Sequence, residues 1–145
     1  MTDQKNIIIA AGAAIFSPEK KLFIMQSAGK AGSAWLIPGG KVAFGETVEA
    51  AVHREICEET GLILDNLIFL GYRDFDSGEK RYIYFDFIAE AQNPDNVVLN
   101  REAKDYAWVQ VEDISRYELS RSVDDFFAKY IERLRTMLVA GNNKS

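Results

Sequence analysis

Apolar runs and alternating apolar and polar positions along the chain predict a sheet of several strands. Alternation is clearest between Arg81 and Ala91, where aliphatic and phenylalanine residues are separated by two tyrosines and an aspartate. Because successive side chains of a strand point to opposite faces, this segment predicts a sheet with two different faces. Further strands are expected over Asn6 to Phe16, Lys21 to Gln26, Ala34 to Ile37, Leu67 to Asp76 and Tyr106 to Val111.

Two segments have helical rather than strand spacing. The first follows Thr47, a favourable N-cap residue, and ends at Gly61, which suits a left-handed C-terminal position. The second runs from about Ser122 to Leu138, with apolar residues three and four positions apart. Because no internal repeat or linker divides the chain, we expect one mixed α/β domain over residues 1–145, with a core of about 7–138.

The composition favours a globular protein. Of the 145 residues, 48% are apolar, enough to bury a core, and no run approaches the roughly 18 apolar residues of a membrane span. The segment Met1 to Asn6 lacks the charged-then-apolar plan of a secretory signal. The single cysteine, Cys57, excludes an intramolecular disulfide. We therefore expect a cytoplasmic protein without membrane association.

The net charge of −5 argues against a nucleic-acid partner, which would require a basic face. The densest basic stretch, Arg116 to Arg135, is interleaved with acidic residues. An acidic protein that acts on phosphates needs metal cations between its carboxylates and its substrate.

The first predicted helix carries carboxylates where core residues are expected. At about 100° per residue, Glu55 and Glu59 fall within the arc of the inward-facing apolar residues, and Glu58 lies just beyond it. Buried unpaired charge is costly, and a carboxylate at the negative end of a helix costs a further ~0.3–1 kcal/mol. Divalent cations with oxygen ligands would remove both costs. Taken alone, the run is more often explained by a solvated face with an Arg54–Glu58 ion pair.

The spacing around this helix is more specific. Gly40 is followed by five residues and Glu46, and then by seven residues and the run Arg54 to Leu62. This order matches G-x5-E-x7-R-E-U-x-E-E-x-G-U, with U aliphatic, at every specified position, and so resembles the Nudix hydrolases. The preceding Trp35 to Lys41 is similar to the W-x-x-P-G-G-K segment of MutT-like members. The resemblance covers about 7–138 and implies a Nudix-type α/β/α sandwich with a mixed sheet and a loop-helix-loop.

The resemblance also implies a metal site. Glu58 and Glu59 match the principal Mg²⁺ ligands of the family, with Mn²⁺ as an alternative ion. Glu55 matches a further ligand or the base that deprotonates the attacking water. The carbonyl of Gly39 matches a backbone ligand, and glycine there is expected to let the loop approach the ion closely.

Other residues have supporting roles by the same resemblance. Arg54 and Glu46 match the pair that orients the carboxylates. Lys41 is a candidate for binding a substrate phosphate. Glu102 resembles an extra carboxylate that some relatives supply from a downstream loop, although Asp105 or plain solvation would explain the local charge as well. Four aromatic residues could stack on a base or belong to the core: Trp35, Phe44, Tyr82 and Tyr84.

The implied activity is Mg²⁺-dependent hydrolysis of a diphosphate linkage in a nucleoside diphosphate linked to another moiety. Markers of relatives that cleave ADP-ribose, diadenosine polyphosphates, NADH or coenzyme A are missing, which favours a MutT-like (d)NTP pyrophosphohydrolase. A nucleotide-sugar hydrolase and a non-catalytic nucleotide-sensing domain remain alternatives. The expected partner is a small-molecule nucleotide, and because family members often pair, a homodimer is a further expectation.

Overall fold

The computed structural model describes residues 6–29 and 33–142, which form a mixed sheet with a helix on each face. The strands are β1 (Ile7–Phe16), β2 (Leu22–Ser27), β3 (Trp35–Leu36), β4 (Gly39–Lys41), β5 (Leu64–Asp76), β6 (Arg81–Ala91) and β7 (Ala103–Val109). The helices are α1 (Val48–Thr60) and α2 (Arg121–Asn142), and a 3₁₀ helix spans Val111–Arg116.

The sheet has the order β3-β2-β1-β6-β5, with β7 paired to β2 and β4 paired to β1. Only the β1–β6 pair is parallel among the described strand pairs. Strands β1 and β6 therefore lie at the centre, and β4 brings the start of the predicted loop-helix-loop directly onto β1.

The two faces of the sheet bury two separate apolar clusters, as the alternation in β6 predicts. On one face, Val52 and Ile56 of α1 pack with Phe87 of β6. On the other face, Phe126 of α2 packs with Ile88 of β6. The predicted α/β/α sandwich is thus confirmed. In the described part of the chain, neither helix combines the length and apolar character needed to cross a bilayer.

Several predicted boundaries are wrong. The strand expected over Ala34 to Ile37 is shorter, because β3 spans only Trp35–Leu36, and Gly39–Lys41 forms an additional strand, β4. Strand β5 begins at Leu64 instead of Leu67, and β7 spans Ala103–Val109 instead of Tyr106 to Val111. The α2 helix is longer than predicted and extends to Asn142.

Candidate active site

Helix α1 begins and ends where the sequence predicts because both ends are capped. The Thr47 hydroxyl accepts a hydrogen bond from the backbone N–H of Ala50 at 3.1 Å. Gly61 has a left-handed φ of 74°, and its N–H donates to the carbonyl of Cys57 at 2.9 Å. These caps set the length of the helix, so the predicted ligands occupy its C-terminal half.

Glu59 is a buried carboxylate, with only 7% of its surface exposed. Its Oε1 accepts a hydrogen bond from the backbone N–H of Gly39 at 3.0 Å. Burial raises the pKa of Glu59 from 4.5 to about 8; the Gly39 bond opposes this rise, and the nearby carboxylates of Glu55 and Glu102 add to it. No basic side chain within residues 6–29 and 33–142 forms an ion pair with Glu59. A divalent cation would stabilise the ionised form of such a group.

Arg54 connects three other carboxylates of the same region. Its Nε and Nη2 donate to Glu46 at 3.0 and 2.6 Å, and its Nη1 donates to Glu55 at 2.9 Å and Glu58 at 3.3 Å. The Nη2 group also reaches the carbonyl of Lys41 at 3.2 Å. The guanidinium holds the pKa of Glu46 down at about 2. Of the predicted ligand carboxylates, Arg54 therefore contacts Glu55 and Glu58 but not Glu59 or Glu102.

The two glycines of β4 are needed for different reasons. A Cβ on Gly40 would lie 2.3 Å from the carboxylate carbon of Glu55, which would have to move. A Cβ on Gly39 would lie 2.5 Å from the carbonyl oxygen of Ala11 and 2.7 Å from the Cα of Gly12. Close packing of β4 on β1 therefore requires glycine at position 39, and the close approach of this loop to an ion stays a prediction.

The end of α1 brings the loop carrying Glu102 to the site. The carbonyl of Glu59 accepts the N–H of Asn100 at 3.1 Å, and that of Thr60 accepts the N–H of Val98 at 2.8 Å. The Asn100 side chain in turn accepts the N–H of Glu102 at 3.0 Å. Because the last carbonyls of a helix lack partners within it, they are available to bind this loop. The predicted downstream carboxylate thus lies beside Glu59.

A cleft of about 620 Å³ contains part of the predicted site. Glu59, Glu102, Gly39 and Lys41 line it, whereas Glu55 and Glu58 are not among its lining residues. The Glu58 side chain is 56% exposed. In the part of the chain that the structure describes, no three histidine, cysteine or carboxylate side chains converge as a ready metal cage. The predicted carboxylate ligands therefore divide into a pair inside the cleft, Glu59 and Glu102, and a pair that Arg54 holds, Glu55 and Glu58.

Sequence reasoning missed a second polar group in this cleft. Arg73 on β5 and Asp86 on β6 are both buried and form an ion pair of 2.8 Å between Nε and Oδ2. Of the four aromatic candidates for base stacking, Tyr82 and Tyr84 line the cleft and the other two do not. The available signal was a charged residue within each of two adjacent predicted strands, which indicates pairing across the sheet.

Curated relatives match part of the chain. Nucleoside triphosphatase NudI of Klebsiella pneumoniae (strain 342) is 39% identical over 98 residues, which is 59% of this chain and 68% of that protein. The protein of the same name from Escherichia coli O81 (strain ED1a) is 38% identical over 97 residues, with the same coverage of 59% and 68%.

Solved structures share the whole fold. The MutT protein of Methanosarcina mazei Go1 superposes with a TM-score of 0.75 at 26% identity, covering 99% of this chain and all of that one. A C. elegans Ap4A hydrolase has a TM-score of 0.72 at 23% identity, covering 92% and 98% of the two chains, and this likeness shows the fold alone. The family model described as the NUDIX domain matches residues 7–130. With the motif, the fold and this match in agreement, the chain belongs to the Nudix family and is a MutT-like Nudix hydrolase.

Proposed function

We propose that this protein is a Mg²⁺-dependent nucleoside triphosphate pyrophosphohydrolase, which releases a nucleoside monophosphate and diphosphate. The observation that carries the proposal is the position of Glu59, a buried carboxylate without a basic partner among the described residues, beside Glu102 in a cleft. The NudI relatives named as nucleoside triphosphatases support the substrate class.

The residues in the cleft fit a magnesium ion that arrives with its substrate. Mg²⁺ usually takes one or two carboxylates from the protein and completes its octahedral shell with water and phosphate oxygens. Glu59 and Glu102 would supply the carboxylates, with the Gly39 carbonyl as a further ligand. Glu58, which Arg54 holds beside Glu55, would be a further ligand, and Mn²⁺ would serve as an alternative ion. Divalent cations there would lower the pKa of water and stabilise charge on the leaving phosphate.

The side chains around the cleft prepare the attack of water on one phosphorus. Glu55 is the proposed base, because its carboxylate lies against Gly40 at the cleft wall. Arg54 donates to Glu55 at 2.9 Å, which orients that carboxylate for accepting a proton. Arg54 is itself held by two bonds to Glu46, so it acts as a positioning residue. Lys41, which lines the cleft, is the proposed contact for a substrate phosphate.

Chromatographic analysis of the hydrolysis products from a panel of nucleotides, with Mg²⁺ and with EDTA, tests the proposal. The panel contains nucleoside triphosphates, nucleotide sugars and dinucleoside polyphosphates. We expect Mg²⁺-dependent turnover of triphosphates, and a loss of about 100-fold or more in kcat for Glu59→Gln. Glu49→Gln is the matched control, because Glu49 is exposed in the first turn of the same helix.

Each of the other outcomes would assign a different function to the cleft. Turnover confined to nucleotide sugars would replace the triphosphate proposal with a nucleotide-sugar hydrolase. Nucleotide binding without turnover would indicate a sensing domain. Full activity of Glu59→Gln would remove Glu59 from the ligand set.

A further inference from the structure

The cleft continues beyond the carboxylates to an end of different chemistry. Its floor includes Ala10 of β1, whose small side chain leaves room above the sheet, and Gly12, against which the Pro38 carbonyl packs. Beyond them lie Arg73, Tyr84 and Asp86, and the start of α2 closes this end with Ser122 and Val123. A substrate held by its phosphates at Glu59 would extend its remaining part along this floor.

Arg73 is held rigidly at the far end. Its Nε and Nη2 donate to the two oxygens of Asp86 at 2.8 and 3.1 Å. Its Nη1 donates to the carbonyl of Ser122 at 2.7 Å and to Asp125 at 3.1 Å. A guanidinium has five N–H groups and no acceptor, so four are used and one on Nη2 has no acceptor within the described residues. A group that enters the cleft beside Arg73 must therefore offer an acceptor.

The charge of Arg73 does not make this end a phosphate site. Asp86 and Asp125 both pair with Arg73, so one positive charge faces two negative ones. Asp86 also accepts the hydroxyl of Tyr130 at 2.9 Å, which leaves it little further capacity as an acceptor. The far end thus suits an uncharged acceptor rather than an anion.

Two tyrosine rings give this end a flat, apolar side. Tyr82 and Tyr84, two residues apart on one face of β6, have ring centroids 5.5 Å apart with an angle of 12° between the planes. The Arg73 guanidinium lies 4.8 Å from the centroid of the Tyr84 ring, which fixes the position of that ring. Both tyrosines line the cleft, so a planar ring that enters can pack against them.

We propose that this end of the cleft selects nucleobases that present a carbonyl oxygen at the edge far from the sugar, O4 of uracil or O6 of hypoxanthine, with Arg73 as hydrogen-bond donor and Tyr82 and Tyr84 as the stacking surface. An exocyclic oxygen projects from the ring and can accept the remaining Nη2 hydrogen. An exocyclic amino group in the same place would bring its own N–H donors against the N–H donor of Arg73, and no hydrogen bond would form. This inference rests on the proposed function, because it takes the phosphates to lie at the carboxylates.

Matched pairs of substrates test the selection. UTP and CTP differ in the base only at position 4, where uracil has an oxygen and cytosine an amino group; the neighbouring ring nitrogen carries a proton only in uracil. ITP and ATP differ in the same way at position 6. We expect kcat/KM to favour UTP over CTP and ITP over ATP by about 10-fold or more. Tyr82→Leu should raise KM for all four by about 5-fold or more with little change in kcat. Tyr72→Leu is the control, because Tyr72 is exposed and is not among the residues that line the cleft.

Binding of nucleosides without phosphates separates this inference from the hydrolase proposal. Titration calorimetry in EDTA should show uridine bound about 10-fold more tightly than cytidine, and the difference should vanish in Arg73→Lys. Circular dichroism shows whether that variant folds. If it does not, Tyr82→Leu is compared with the wild type instead, and binding of both nucleosides should be weaker in the variant. Equal binding of uridine and cytidine, or unchanged binding in Tyr82→Leu, would overturn the inference. Absence of turnover alone would refute only the proposed function.

Discussion

Replacing Glu59 by glutamine should change how the stability of the metal-free protein depends on pH. The substitution removes the ionisable group but keeps an oxygen that can accept the Gly39 N–H, which is 3.0 Å away in the wild type. Because burial raises the folded-state pKa of Glu59 to about 8 from 4.5, folding favours the protonated carboxyl. The wild type therefore loses stability as the pH rises between these values, whereas the variant has no such loss.

The size of the effect follows from the two pKa values. Between about pH 5 and about pH 7.5, ionisation of Glu59 lowers the free energy of unfolding by about 3 kcal/mol. At roughly 2–4 °C per kcal/mol for a chain of this size, the melting temperature falls by about 10 °C more in the wild type than in the variant.

Thermal melts in EDTA across this pH range measure the difference, with Glu49→Gln as the control that should follow the wild type. Saturating Mg²⁺ should recover most of the loss in the wild type at the upper pH, because the cation favours the ionised carboxylate. Parallel pH profiles for the wild type and Glu59→Gln in EDTA would refute the reasoning, since they would show that Glu59 titrates normally.

Two further substitutions probe the surroundings of the carboxylates. Gly39→Ala should destabilise the fold by about 2 kcal/mol or more, because its Cβ would lie 2.5 Å from the Ala11 oxygen. Urea denaturation measures this, and Gly29→Ala, whose Cβ would meet its nearest atom at 3.6 Å, should be close to neutral. Arg54→Lys should lower kcat by about 10-fold or more with a smaller change in KM, because an ammonium cannot reproduce the paired bonds to Glu46. Equal losses in the two glycine variants, or a purely KM effect of Arg54→Lys, would contradict these expectations.

The elements with strong local signals could be predicted from the sequence. Helix α1 was predicted from Thr47 and Gly61, because capping depends on nearby backbone groups. Strand β4 could not be predicted, since its three residues, Gly39–Lys41, have no alternation and become a strand only by pairing with β1. The first half of β7 was missed because it includes the exposed Lys104 and Asp105 on a strand that pairs only with β2 among the described strands.

In the candidate site, too, local features could be predicted from the sequence and contacts between distant segments could not. The Nudix motif identifies the carboxylates because their spacing along one helix is a local property. The helical spacing also places Glu59 on the inward face and Glu58 just beyond it, but it does not indicate that Glu59 binds the Gly39 N–H, because this depends on which turn of α1 faces β4. The pairing of Arg73 with Asp86 depends on the register of β5 and β6, which local patterns do not specify.

The tethering of the loop after β6 limits how this enzyme can diverge. The Asn93 side chain accepts the N–H of Ile63 at 2.9 Å and donates to the carbonyl of Gly61 at 3.1 Å, and the Val98 N–H then binds the last turn of α1. Insertions or deletions in this loop would move Glu102 away from Glu59. During evolution the loop is therefore expected to change by substitution and to keep its length. The turn Ser77 to Lys80 bonds only within itself and to the adjacent Asp76 in the described structure, which makes it the better position for grafting a peptide tag.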